Sequence, residues 1–237
     1  MTKQTQVVDA TLYDFRDQAR RVLTWALGRG PSDALKAIHF NFMARGEPLA
    51  NPNLQRRGWR GLVSRLDDEV DGLVQVKYLI STILPQSIRQ KRLVDIFPKD
   101  YPEIYYSLYS MSEKFRKHWM PQALPVAEGL DKLREWQEDT NKIPTIHMAF
   151  LEGHNATSND VDRICHAVQD RKLRVNVNIV RYNQQSEALP IEPTPEKLHV
   201  LARAYRVNMP FARVKIVDRV GEDVFASCGC FVPKESL

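Results

Sequence analysis

The sequence predicts an α/β fold in which helices wrap a parallel sheet. Short apolar, β-prone runs alternate along the chain with longer segments whose apolar residues recur at helical spacing. Polar residues follow these runs at the points where strands would end. No linker, low-complexity tract or short repeat interrupts the 237 residues, so the expected organisation is one domain over residues 1–237.

Six runs have the composition and alternation of strands. The predicted strands are 38–42, 74–82, 103–110, 143–152, 174–183 and 212–217. The predicted helices are 9–27, 54–68, a segment through 89–94, 112–141 with interruptions near Pro121 and Pro125, 158–170 and 196–205. The first helix has an apolar face that should meet the core, made by Leu12, Phe15, Ala19, Val22, Leu23 and Ala26.

The composition is that of an ordinary globular protein, with 43% hydrophobic and 27% charged residues. No apolar run approaches the ~18 residues of a membrane span, and no signal segment follows Met1, so we expect a cytoplasmic protein without a membrane partner. The net charge of +5 and a pI of about 9.1 permit a polyanionic partner without requiring one. The three cysteines form no zinc pattern and no even disulfide framework, which favours a reducing compartment.

The first predicted strand stops at Gly46-Glu47-Pro48, which would place one carboxylate at the C-terminal end of a strand. Ligands of α/β barrels bind at that end of the sheet. A solvated turn residue would give the same local pattern, so spacing alone leaves both interpretations of Glu47 open. Other polar residues at strand ends, each of which could also be an ordinary loop residue, are Ser81, Thr82, Ser107, Tyr109, Asn155, Asn178 and Asn183.

The segment 42–51, Phe-Met-Ala-Arg-Gly-Glu-Pro-Leu-Ala-Asn, resembles the Gly-Glu-Pro-Leu motif of radical-SAM enzymes. Its wider form is similar to that of the branch that methylates adenine in ribosomal and transfer RNA. The resemblance implies a partial (βα)6 TIM-like barrel, here without its first strand and cluster loop. It also implies that S-adenosylmethionine binds over the strand ends, with Gly46 and Glu47 in the site and the Glu47 carboxylate on the cofactor ammonium.

Later segments resemble the same family in order, with departures. Ser81 and Ser107 stand in segments similar to the family's Ser-Thr-x-Gly and Ser-Leu-His, although the glycine is absent and Tyr109 replaces the histidine. Asn183 ends a segment similar to Asn-Leu-Ile-Pro-x-Asn, from which residues 180–181 depart. The resemblance implies that Ser81, Ser107 and Asn183 contact the ribose or the carboxylate of the cofactor.

The segment 219–230 resembles the family ending Arg-x-Gly-x-Asp-Ile-x-Ala-Ala-Cys-Gly-Gln. The resemblance implies that Cys228 is catalytic: it receives a methyl group from one cofactor molecule, and a radical made from a second then removes a hydrogen from that group. A thiolate is nucleophilic enough for the first step. Without the flanking match, Cys228 would be interpreted as a small buried apolar residue. Cys230 stands where glutamine is usual, and metal, redox and incidental roles stay open for it.

Radical-SAM chemistry uses a [4Fe–4S] cluster held by three cysteines in C-x3-C-x2-C, and this sequence has no such motif. We assign no metal-ligating residue. One expectation is that the chain is the downstream part of a longer or split protein, in which an upstream segment or a partner chain supplies the cluster cysteines. The other is a lineage that lost the cluster. By itself, the chain is not expected to perform the radical reaction.

RNA is the substrate that the resemblance implies, and three runs mix basic with aromatic or amide residues: 55–60, 89–92 and 114–119. Each run taken alone could be a solvated helix face. Three functions therefore compete. The first is an incomplete radical-SAM RNA methyltransferase; the second is a barrel without a cluster that binds a nucleotide or RNA; the third is a radical-SAM enzyme with a protein or metabolite substrate.

Overall fold

The computed structural model describes residues 8–28, 37–43, 46–70, 74–184 and 188–219. Six parallel strands form one sheet in sequence order and curl into a half-barrel. The strands are β1 (Ala37–Phe42), β2 (Gln75–Thr82), β3 (Glu103–Ser107), β4 (Thr145–Met148), β5 (Asn176–Ile179) and β6 (Val214–Ile216). The predicted parallel α/β sheet is confirmed, because every strand pairs with its successor in parallel.

Helices fill the connections between the strands, as parallel pairing requires. They are α1 (Leu12–Leu27), α2 (Arg57–Val70), α3 (Leu93–Ile96), α4 (Glu113–Trp119), α5 (Val126–Thr140), α6 (Ser158–Asp170) and α7 (Pro195–Asn208). Short 3-10 turns span Pro48–Ala50, Pro52–Leu54 and Gln86–Ile88. The segment predicted through 89–94 is shorter than expected and begins only at Leu93.

The fourth strand ends earlier than its apolar composition predicted, because the Asn155 side chain forms hydrogen bonds with the backbone that follows the strand. The Asn155 amide donates to the carbonyls of Tyr109 (2.7 Å) and Ala149 (2.9 Å), and its oxygen accepts from the Leu151 amide at 2.7 Å. Asn155 is fully buried, so these bonds are shielded from water. The strand predicted over 143–152 is therefore β4 plus a turn closed by Asn155.

The core lies between the outer face of the sheet and the helices. Side chains alternate along each strand, so Ile80, Tyr106 and Ile146 point outward and are 0–1% exposed. The opposite, inner face carries Tyr105, His147 and other polar side chains of intermediate exposure. The half-barrel therefore presents an apolar outer face to its helices and a polar inner face.

Helix α1 begins with a capping box, in which Thr11 and Asp14 satisfy each other's backbone amides. It packs against α2, where Arg16 and Arg20 pair with Glu69 at 2.6 and 2.9 Å. The prediction that Val22 faces the core is wrong, because its side chain is 64% exposed. Among the α1 side chains that the structure describes, Ala19 and Leu23 are the buried ones, so the buried stripe is narrower than the apolar pattern suggests.

In the part of the chain that the structure describes, no helix is long and apolar enough to cross a membrane.

The first turn of α2 leaves no room for a side chain at Gly58. A Cβ atom at this position would lie 1.9 Å from the Asn53 carbonyl oxygen, in a turn held by the bond from the Gly58 amide to the Gln55 carbonyl at 3.0 Å. At Gly61, in the same helix, a Cβ would meet chiefly the Arg65 side chain at 3.1 Å, and that side chain can move.

We predict opposite effects of alanine at these two glycines. Gly58→Ala should lower the free energy of unfolding by about 1–3 kcal/mol, because the backbone at Asn53 must shift. Gly61→Ala should leave it unchanged or raise it by up to about 1 kcal/mol, through helix propensity. Urea unfolding followed by circular dichroism measures both. Equal losses in the two variants would show that the contact with Asn53 is not the cause.

Candidate functional site

The Glu47 carboxylate joins the segment after β1 to the end of β2. Its Oε1 accepts hydrogen bonds from the Thr82 hydroxyl (2.6 Å) and the Leu49 amide (3.0 Å), and its Oε2 accepts one from the Ile83 amide at 2.9 Å. The preceding Gly46 has φ +120, a conformation that glycine adopts without strain. Glu47 is thus a partly buried group at the carboxyl edge of the sheet, and the solvated-turn alternative does not describe it.

Burial raises the pKa of Glu47, and its three hydrogen bonds act in the opposite direction. An ionised carboxylate offers about four acceptor positions, of which the three bonds leave one on Oε2. A cation placed there would offset the cost of burying the negative charge. The local chemistry fits an ammonium group, and so fits the cofactor that the sequence predicts.

Ser81 and Ser107 lie on the inner face of neighbouring strands. In the register of β2 and β3, Ser81 lies opposite Tyr105, and Ser107 follows Tyr105 by two residues on the same face. The two serines are therefore close to each other on the inner face. The Ser81 hydroxyl oxygen is buried and has no hydrogen-bond partner among the described residues. Buried hydroxyls are normally paired, so this one marks a place for a polar ligand atom.

A row of polar side chains crosses the inner face below this edge. Ser107 pairs in register with His147, and His147 with Asn178. The Asn178 amide nitrogen lies 3.4 Å from His147 Nε2, and the Tyr105 ring lies 4.7 Å from the imidazole. Burial lowers the pKa of His147 to about 4, so the ring is neutral at pH 7.

Asn183 is 7% exposed and follows β5, at the same edge of the sheet but two strands away from β3. The structure therefore brings Glu47, Ser81 and Ser107 to one part of this edge and sets Asn183 further along it. Cys228 and Cys230 lie outside the described residues, and the role predicted for Cys228 stays a prediction.

Arg219, at the start of the tail motif, is held at the edge beyond β5. Its guanidinium donates to the Tyr182 carbonyl (3.0 Å) and to Glu192 Oε2 (2.7 Å). Glu192 also accepts from Arg181 and from the Tyr182 amide. The sequence does not identify Glu192 as a site residue, because its partners Tyr182 and Arg219 lie 10 and 27 residues away. A single glutamate in a loop belongs to no recognisable motif.

The described residues do not fit an iron–sulfur cluster. No group of three or more histidine, cysteine or acidic residues converges among them. Cys165, the described cysteine, is 1% exposed in the core, and burial raises the pKa of its thiol to about 12. A core thiol of this kind is neither a metal ligand nor a nucleophile.

Comparison with known sequences identifies relatives. The chain is 28% identical over 219 residues to a ribosomal RNA large subunit methyltransferase Cfr of Lachnoclostridium phytofermentans, covering 84% of this chain and 59% of that protein. It is 25% identical over 199 residues to a probable dual-specificity RNA methyltransferase RlmN of Heliobacterium modesticaldum, covering 82% and 48%. The chain is similar in sequence to the Cfr and RlmN methyltransferases. It spans about half the length of these relatives, and no family model matches it.

Solved structures confirm the fold of the chain. A radical SAM methyltransferase from Sphaerobacter thermophilus superposes with a TM-score of 0.68 at 20% identity, over 93% of this chain and 61% of that one. A domain of a pyruvate-formate lyase-activating enzyme from Bacteroides vulgatus gives 0.56 at 16% identity, over 78% of this chain and all of that domain. The α/β half-barrel fold is thereby established.

The raised pKa of Glu47 predicts how the stability of the chain depends on pH. Above the ordinary value of 4.5, the folded protein binds more protons at this group than the unfolded chain, so stability contributed by Glu47 falls as the pH rises. The free energy of unfolding of the wild type minus that of Glu47→Gln should decrease between about pH 4 and about pH 7. Urea unfolding at a series of pH values measures it. A difference that grows with pH would mean that hydrogen bonding outweighs burial.

Proposed function

We propose that the chain is the S-adenosylmethionine-binding barrel of an RNA adenine methyltransferase. The observation that carries the proposal is the partly buried Glu47 carboxylate, which keeps one acceptor position at the carboxyl edge of a radical-SAM half-barrel. Similarity to Cfr and RlmN proteins supports RNA as the substrate. Because the chain spans about half of those proteins, the activity of the whole is part of the proposal.

Each residue of the site has a distinct task in binding. Glu47 pairs with the cofactor ammonium, in a charge-assisted bond strengthened by partial burial. The unpaired Ser81 hydroxyl and the Ser107 hydroxyl donate to ribose or carboxylate oxygens, and Asn183 closes the far side of the edge. Gly46 has no Cβ, so the backbone can approach the ligand closely. When bound, S-adenosylmethionine supplies an electrophilic methyl group on a positive sulfur.

We propose Cys228 as the methyl carrier. Its thiol loses a proton to solvent, and the thiolate attacks the methyl carbon. With S-adenosylmethionine bound, the transfer would form a carbon–sulfur bond on Cys228, and the electron pair of the broken bond would leave with a neutral thioether. No oxidation state changes, so no oxidant would be required. Later transfer to adenine would need the cluster, which the described residues do not fit, so its ligands come from an upstream segment or a partner chain.

The alternative function is a barrel that binds a nucleotide or RNA and performs no methyl transfer. It is favoured by one observation, the absence of C-x3-C-x2-C from the sequence as given. Both functions use the same edge of the sheet around Glu47, so binding of the cofactor is compatible with either one. Modification of Cys228 separates them.

We predict that Glu47→Gln weakens S-adenosylmethionine binding about 10- to 100-fold, the cost of one charge-assisted hydrogen bond. Binding of 5′-methylthioadenosine, which lacks the ammonium, should not change. Isothermal calorimetry measures both ligands. Glu69→Gln is the matched control, because Glu69 is partly buried in an ion pair between α1 and α2. If Glu47→Gln weakens both ligands equally, Glu47 supports the fold and does not bind the ammonium.

We also predict that a Cys228 peptide carries a methyl group when the chain, with its upstream segment or partner, is expressed together with cluster-assembly proteins. Mass spectrometry of tryptic peptides detects it, and Cys228→Ala should abolish it. The peptide with Cys165 is an internal control and should remain unmodified, because its thiol is buried. An unmodified Cys228 in protein that has bound the cofactor would favour the alternative function.

A further inference from the structure

The three basic runs of the sequence differ in what their charges contact. In the run 89–92, Arg89 pairs with Glu128 at 2.8 Å, and Arg92 pairs with Glu135 at 2.9 Å and Asp139 at 2.7 Å. Acidic side chains of α5 therefore neutralise both arginines of this run. They hold the connection after β2 against the helix and leave little charge for a ligand.

The run 114–119 has fewer free cations than its composition suggests, although Lys114 and His118 are exposed. Arg116 is 5% exposed and donates to the carbonyls of Leu108 (2.5 Å) and Leu124 (3.0 Å), so it is a structural group. Lys117 lies 3.8 Å from Glu113 on the same helix.

The run 55–60 keeps its charge. Arg56, Arg57 and Arg60 are exposed, and none forms an ion pair or a side-chain hydrogen bond with the described residues. All three line an open cavity of about 290 Å³, together with Val94, Asp95 and Pro98. The backbone of Arg56 is fixed by a bond from its amide to the Ile96 carbonyl at 2.8 Å. Three arginines thus line one opening, together with a single acidic residue.

Lys91 extends this surface toward the candidate cofactor site. Its ammonium donates to the neutral Gln55 oxygen at 2.7 Å, and the Gln55 amide donates to the Leu49 carbonyl at 3.0 Å. The Leu49 amide in turn donates to Glu47. A continuous set of bonds therefore connects the basic surface to the carboxylate at the edge of the sheet.

Trp59 does not contribute a base-stacking ring, contrary to what the mixed run suggested. It is 0% exposed and donates to the Lys99 carbonyl at 3.0 Å. The exposed part of the run consists of guanidinium groups without an aromatic face among them. Guanidinium groups match phosphate oxygens in geometry and charge, and contacts to phosphate do not depend on base sequence.

We propose that Arg56, Arg57, Arg60 and Lys91 form a docking surface for the phosphodiester backbone of the substrate RNA. The proposal rests on RNA being the substrate, as proposed above. The surface holds the strand beside the cofactor edge, and base recognition takes place elsewhere. Asp95 opposes this binding, because its negative charge lies in the same opening.

The test is a salt titration of RNA binding by the full chain. A fluorescein-labelled RNA hairpin with adenines in its loop is the probe, and fluorescence anisotropy gives the affinity at each NaCl concentration. The double variant R57Q/R60Q should reduce the slope of log affinity against log salt by about 2, one for each lost phosphate contact. The loss should be similar for hairpins of different sequence.

Two further variants control for net charge and folding. R163Q/R203Q removes two exposed arginines of α6 and α7 that form no ion pair with described residues, and it should leave the slope nearly unchanged. D95N should tighten binding, because it removes the negative charge from the opening. A gain of affinity cannot result from misfolding.

The outcomes separate this proposal from the proposed function. An R57Q/R60Q slope equal to that of R163Q/R203Q overturns the docking surface, even if the complete protein methylates RNA. Equal affinity of the wild type for polyglutamate and for RNA overturns it too, because the surface would then bind any polyanion. A wild type that does not bind RNA overturns both proposals. If R57Q/R60Q reduces the slope but the complete protein leaves RNA unmethylated, the docking surface is supported and the proposed methyltransferase activity is overturned.

Discussion

One carboxylate, that of Glu47, connects the ends of two neighbouring strands. Glu47 binds the Thr82 hydroxyl and the Ile83 amide across a sequence separation of 35 and 36 residues. The Thr82 oxygen also accepts from the Leu84 amide at 2.8 Å, at a residue with φ 51. The turn after β2 is thus held in an uncommon conformation by bonds that begin at Glu47. The same donors stabilise a negative charge in a partly buried place, which is what recognition of a cation requires.

The inner face of the sheet shows why this fold suits a polar ligand. All-parallel sheets are normally covered on both faces and read as continuous hydrophobic runs. Here the outward positions, such as Ile104 and Met148, are apolar and buried, whereas Tyr105, His147 and Asn178 place polar groups on the inner face, beside the buried Leu79. The neutral His147 adds hydrogen-bonding capacity to this face without charge.

Much of the fold could be predicted, because alternation and helical spacing are local properties. All six strands and the helix Ser158–Asp170 follow from such patterns. What failed depends on contacts between distant residues. The end of β4 is set by Asn155, and the burial of Trp59 by the packing of α2 on the sheet. Val22 is exposed although it shares the helical spacing of the buried Ala19 and Leu23.

The candidate site was predicted less completely than the fold. A motif located Glu47, but Thr82 was noted only as one hydroxyl among several at strand ends. Its bond to Glu47 could not be read from the sequence, because nothing local pairs the two. Which basic residues have acidic partners could not be predicted from the sequence either. Composition treats Arg57 and Arg92 alike, and only the acidic neighbours of Arg92 distinguish them.

Arg219 links the tail motif to the rest of this arrangement. Glu192, with a side chain 10% exposed, receives both Arg181 and Arg219, so the pair of guanidinium groups is held by a carboxylate shielded from water. Separation of these charges is unfavourable, because a buried charge without a partner costs free energy. The tail therefore leaves the barrel from a fixed point beside Tyr182, at the carboxyl edge of β5.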